Sequence, residues 1–208
     1  MQRRTLITGT AAVSAAALLR LPTTAQDASP EATPEGTDFE LTTEGLVATV
    51  EREYETDSLR VDGAIVFDLV TYVYESDENA ADAFKESDGY YDFFVAQAAL
   101  EGGSLTEREE LSSPDLGADR IAETFDIESD GVTINTTTFR AYDGRTLHMW
   151  LAAGLADPSV ELLELVEQLM TFEPEGESDE DIYALLPELQ DMPPGFTLSK
   201  EEIRRDEP

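Results

Sequence analysis

Two Asp-Gly pairs, Asp130-Gly131 and Asp143-Gly144, each separate runs rich in β-branched and aromatic residues. Glycine reaches positive φ without a Cβ clash, and tight hairpin turns need that conformation. Each pair therefore marks a chain reversal between antiparallel strands. The flanking runs, 120–127, 132–141 and 145–152, read as a three-strand meander. Parallel pairing does not fit here, because parallel strands need a crossover of a dozen residues or more.

Earlier in the chain, residues 64–74 read as a further strand, with Ile65, Phe67, Leu69 and Val73 alternating on one face. Residues 46–54 read as another. Ser76 is placed to cap a helix through Ala80, Ala81, Ala83 and Phe84. Ser87-Asp88 precede a second helix, in which Tyr90, Tyr91, Phe94, Val95 and Ala98 recur at helical spacing and Gly102-Gly103 supply the stop. Asp157-Pro158 open a third, whose stripe is Leu162, Leu163, Val166, Leu169 and Met170. This order predicts an α+β fold, a single antiparallel sheet with helices packed on one face. Alternating βα units are missing, which argues against a doubly wound nucleotide-binding sheet.

The body is expected to occupy residues 39–172. Residues 26–38 carry Pro, Thr, Glu and Gly without a large apolar side chain and form a solvated acidic linker. Residues 173–208 open with an acidic linker and continue into a short amphipathic segment, where Ile182, Leu185, Leu186, Leu189 and Met192 make a stripe broken by Pro187. A bare apolar stripe is an aggregation liability, so this segment is expected to fold back on the body. Docking into a partner's groove is the alternative.

Residues 1–25 contain no Asp or Glu. A basic start leads into an apolar run over 6–19, and Thr23-Thr24-Ala25 offer small residues for cleavage after Ala25, the layout of a secretory signal. The run is shorter than the roughly 20 apolar residues of a spanning helix, so no membrane span is expected after cleavage. Arg3-Arg4-Thr5-Leu6-Ile7 resembles the core of a twin-arginine signal, with Gln2 and Thr8 departing from the usual pattern. That resemblance implies the Tat translocase as partner during export and an extracytoplasmic location, secreted or in the cell envelope. An ordinary export signal that happens to carry two arginines is the alternative.

Charge narrows the partners. The chain has 13 Lys+Arg against 46 Asp+Glu, a net of −33, and its lysines are Lys85 and Lys200. Such a surface repels phosphate backbones and anionic head groups, which argues against nucleic acid and anionic membrane surfaces as partners. It suits cations, basic partners or concentrated salt. The absence of cysteine excludes disulfides, thiol catalysis and Cys-based zinc sites.

Few residues invite chemistry. His148 is the single histidine and lies on a meander strand without a Gly-x-Ser-x-Gly elbow, so a structural role is expected for it. Asp126-x-Glu128-x-Asp130-Gly131 mimics the first half of a calcium loop, but Thr137 stands where the bidentate glutamate belongs. These three acids are the weak calcium candidate beside the plainer reading of a solvated hairpin turn, and no cofactor is expected. Tyr90 and Phe93 on the second helix and Trp150 on the third meander strand are candidates to line a cleft between helix and sheet. Phe93 points off the Tyr90/Tyr91/Phe94 stripe. Core packing is the alternative for these aromatics.

Leu185-Leu186-Pro187 with Asp191-Met192-Pro193-Pro194-Gly195-Phe196 resembles a phrase of bacterial extracytoplasmic sensor-type domains. The strand-to-helix stretch 67–84, with Glu78-Asn79-Ala80-Ala81-Asp82-Ala83-Phe84, and Asp115-Leu116-Gly117 are also similar to those domains, the PknH-type extracellular, LpqN-like and PsbP-like α+β modules. Ala118 departs from the family's usual acid. The resemblance implies binding of a small ligand or a protein, with no catalytic set to carry over. The expected function is thus an exported, acidic, non-catalytic binding or sensor-type module. A secreted hydrolase using acidic residues and a structural or weakly cation-binding surface protein are the alternatives.

Overall fold

The computed structural model describes residues 41–56, 62–100, 103–129, 131–176 and 178–205. Strands β1 (Leu46–Thr56) and β2 (Ala64–Tyr74) lead to helices α1 (Asp77–Glu86) and α2 (Gly89–Leu100). Short strands β3 (Ser104–Leu105) and β4 (Glu109–Leu111) precede the meander of β5 (Asp119–Ser129), β6 (Val132–Asp143) and β7 (Thr146–Gly154). Helix α3 (Ser159–Leu169), the short α4 (Asp179–Tyr183), a 3-10 turn (Leu189–Asp191) and β8 (Phe196–Arg205) follow.

All strands join one 8-stranded sheet in the order β3-β5-β6-β7-β2-β1-β8, with β4 also on β5. Every pairing is antiparallel. The α+β, single-sheet expectation is met. Both hairpins close where the glycines place them: Ser129 pairs Val132 with Gly131 at φ 80°, and Asp143 pairs Thr146 with Gly144 at φ 52°. Ser76 caps α1 by accepting from the Asn79 N–H at 3.3 Å. Asp157 serves α3 by accepting from the Ser159 N–H at 2.9 Å.

Helices cover both faces of the sheet, not one. β7 is buried along its whole length and β2 nearly so, the signature of strands packed on two sides. Leu147, Met149, Leu151 and Ala153 enter a first core with Ala80 and Ala83 of α1 and Tyr90, Phe93, Phe94 and Ala98 of α2. Trp150 and Ala152, on alternate positions of the same strand, enter a second core with Leu162, Leu165 and Val166 of α3. The second core takes in Ile182, Leu185, Leu186, Met192 and Phe196 as well.

The body therefore runs past residue 172 and reaches β8. Without the C-terminal segment the β1/β2 part of the second face would lie bare. Arg52 donates to the carbonyls of Leu186 and Pro187 at 3.0 and 3.1 Å, and the Tyr54 hydroxyl donates to Pro187 O at 2.6 Å. Leu189, counted in the apolar stripe, is instead 48% exposed on the 3-10 turn.

Candidate functional site

A concavity open to solvent lies at one end of the sheet. It is a groove of about 670 Å³ where α1 begins, β6 turns into β7 and β5 starts. Three elements supply five carboxylates: Asp77 and Glu78 from the first turn of α1, Asp115 and Asp119 from the approach to β5, and Asp143 from the hairpin. A second hollow of about 350 Å³ adjoins it across Asp77, Asp143 and Gly144 and ends at Arg145, Phe172 and Glu173.

Local chemistry holds each wall. At the turn, the Gly144 N–H donates to the Asp143 carboxylate at 2.9 Å, the tight reversal a left-handed glycine allows. The loop before β5 winds around Arg120, which donates to Ser113 Oγ at 3.2 Å and Ala118 O at 3.1 Å and pairs Asp115 at 3.2 Å. The groove's arginine is thus committed to its own loop. Tyr142 packs on Phe84 with ring centroids 5.0 Å apart. The hydrogen bond of its hydroxyl to Asp119 holds the phenol pKa above its ordinary value, with burial and the carboxylate's charge acting in the same direction. Among the described residues no three acidic or histidine side chains converge as a single metal ion requires. The carboxylates are spread along the groove instead.

Residues singled out from the sequence lie elsewhere. Tyr90 and Phe93 are buried in the first core, each packed on Phe94 with centroids 4.8 and 5.7 Å apart. Trp150 is fully buried in the second core. The sheet stands between them, so they line no common cleft. Phe93 is core because it stands three residues after Tyr90, on the single buried face of α2 that also holds Phe94 and Ala98, while Tyr91 lies at the edge of that face and donates its hydroxyl to Thr106 O at 2.6 Å. Asp126 and Glu128 lie on β5. Asp130, Arg3, Arg4 and Ala25 fall outside the described residues.

His148 is fully buried between β2 and the segment after α3. The Thr71 hydroxyl lies 2.6 Å from Nδ1, and Nε2 lies 2.8 Å from the carbonyl of Thr171. A carbonyl only accepts, so Nε2 carries the proton and Nδ1 accepts from Thr71. Desolvation lowers the imidazole pKa to about 4, partly offset by the bond to Thr171. Thr146 donates to Phe172 O at 2.6 Å, so neighbouring residues on one face of β7 strap residues 171–172 to the sheet.

On the first face Arg140, 2% exposed, donates to Ser87 Oγ at 2.9 Å, Glu123 at 3.0 Å and Asp88 at 3.2 Å. Ser87 thus ties the α1–α2 junction to β6. The Ser76-Asp77 cap and the Asp143-Gly144 turn are visible in the sequence as local structure. That they face each other follows only from β2, β7 and β6 lying side by side. No family model, curated protein or solved structure matches the chain.

Proposed function

We propose that the exported body is a binding module without catalytic chemistry, and that it takes a cationic ligand in the groove at the hairpin end of the sheet. The observation that carries this reading is the lining: five carboxylates from three elements around about 670 Å³, of which the groove's arginine, Arg120, offsets one, Asp115. Like charges held on rigid walls lose repulsion when a cation enters, and the gain is larger in a concave site than on a flat surface. The spread of the carboxylates favours a ligand whose cationic groups are several ångströms apart, such as a polyamine or a basic peptide. The commitment of His148 to two structural hydrogen bonds supports the non-catalytic half. The sensor-domain resemblance points the same way, and Arg3-Arg4 carry the extracytoplasmic location.

Calorimetric titration with spermidine and with a short Arg/Lys peptide at roughly physiological salt tests the reading. Heat should appear for both and not for a Glu-rich peptide. An Asp119→Asn/Asp143→Asn variant should bind roughly tenfold or more weakly, since each lost charge pair contributes about 1 kcal/mol at partial exposure. Binding untouched by that variant, or no heat with either cation, would sink the proposal.

A further inference from the structure

β8 ends the sheet, and among the described residues no strand pairs its outer edge. Such an edge offers unpaired backbone groups to another chain unless something blunts it. Its first half is blunted. Lys200 opposes Glu53 and Leu198 opposes Tyr54, so Ser199 is an extra residue that bulges the strand. Beyond the bulge, residues 200–205 run in regular register with β1.

That regular stretch contains Glu201-Glu202-Ile203-Arg204-Arg205, which is self-complementary when laid antiparallel on a copy of itself. About a two-fold axis through Ile203, Glu201 lies opposite the second copy's Arg205 and Glu202 opposite its Arg204, each twice by symmetry. Directly opposed residues share a face, and the faces agree. Glu201 reaches Arg52 and Arg205 reaches Asp179, both at 2.8 Å, alongside the C-terminal segment. Glu202 and Arg204 meet on the other face at 2.7 Å. The four side chains remain 37–40% exposed. An arginine with five donors can serve a second carboxylate while keeping the first. A slip of two residues would set Glu202 against Glu202 and Lys200 against Arg204, so the charges select one register. Three of the chain's 13 basic residues fall within these six positions.

We propose that β8 pairs antiparallel with β8 of a second copy of this chain, joining two 8-stranded sheets into one continuous sheet through a two-fold axis at Ile203. Elsewhere copies at a net charge of −33 repel, and this edge is where attraction and backbone pairing coincide. The contact is small, so association is in the micromolar range.

Sedimentation of the full chain at roughly 100 µM should show a dimer that dissociates on dilution. Glu201→Arg/Glu202→Arg and Arg204→Glu/Arg205→Glu variants should each be monomeric, and an equimolar mixture should restore the dimer. Because these charges also serve contacts within the chain, a second measurement leaves them alone. The chain has no cysteine, so Ile203→Cys introduces one thiol at the axis. Mild oxidation should link it into a dimer roughly tenfold or more faster than Ser199→Cys at the bulge, because proximity raises the effective concentration. A monomer at every concentration, a dimer that survives both charge reversals, or equal cross-linking at 199 and 203 would overturn the proposal.

Discussion

Acidification from about pH 7.5 to about pH 5 should remove about 2 kcal/mol of stability through His148 alone. The imidazole titrates near 6.5 when exposed and at about 4 when folded. Between those values the unfolded chain binds a proton that the native protein does not, so the contribution is complete above 6.5 and disappears as pH falls toward about 4. The full difference corresponds to about 3 kcal/mol, of which about 2 is gone by pH 5. The cause is geometric: Thr71 and Thr171 use both ring nitrogens of the neutral form, and no solvent reaches the ring to hydrate a cation. The assay is urea unfolding across this range for the native protein and for His148→Gln. Carboxylates titrate too, and their fading repulsion acts in the opposite sense, but they act alike on both proteins and cancel in the difference. The chain's one histidine makes that difference clean. A stability gap between the two proteins that stays constant from pH 7.5 to 5 would refute the reasoning.

Two further outcomes follow from buried contacts. Arg140→Met should cost about 2–3 kcal/mol in urea unfolding, because the buried guanidinium's bonds to Ser87, Asp88 and Glu123 are lost together, while Arg108 at 3.2 Å still offsets Glu123; a single variant as stable as the native protein would contradict the burial argument. In the C-terminal segment, Leu186→Ala should cost about 2–5 kcal/mol and Leu189→Ala less than about 0.5, since Leu186 is 3% exposed and Leu189 48%; equal effects would mean that the segment is not part of the second core.

Much of the fold is legible locally. The hairpin glycines, the β-branched runs and the Ser76 and Asp157 caps act over a few residues, and those elements lie where the pattern puts them. β8 is hidden because Lys200, Glu201, Glu202, Arg204 and Arg205 give it the composition of a solvated segment, although alternation around an edge is met by charged residues as well as apolar ones. β3 and β4 are two and three residues long, too short for a period to register. Phe93 misleads because the Tyr90/Tyr91/Phe94 stripe is centred one position too far round, on Tyr91; the buried face is Tyr90, Phe93, Phe94 and Ala98, with Asp92, Val95 and Ala99 exposed opposite it.

The alternation along β7 determines that Trp150 and Met149 point to opposite sides, and composition determines that the surface is anionic and free of thiol chemistry. Neither says which side a helix will cover. Strand order decides that, through contacts as distant in sequence as Arg52 with Leu186 and Glu51 with Lys200. The groove depends on the same order: Asp77, Asp119 and Asp143 line one groove because β2, β7, β6 and β5 are successive neighbours in the sheet. Periodicity reports the faces of single elements, whereas the free energy that selects their arrangement comes from burying both sides of one sheet at once.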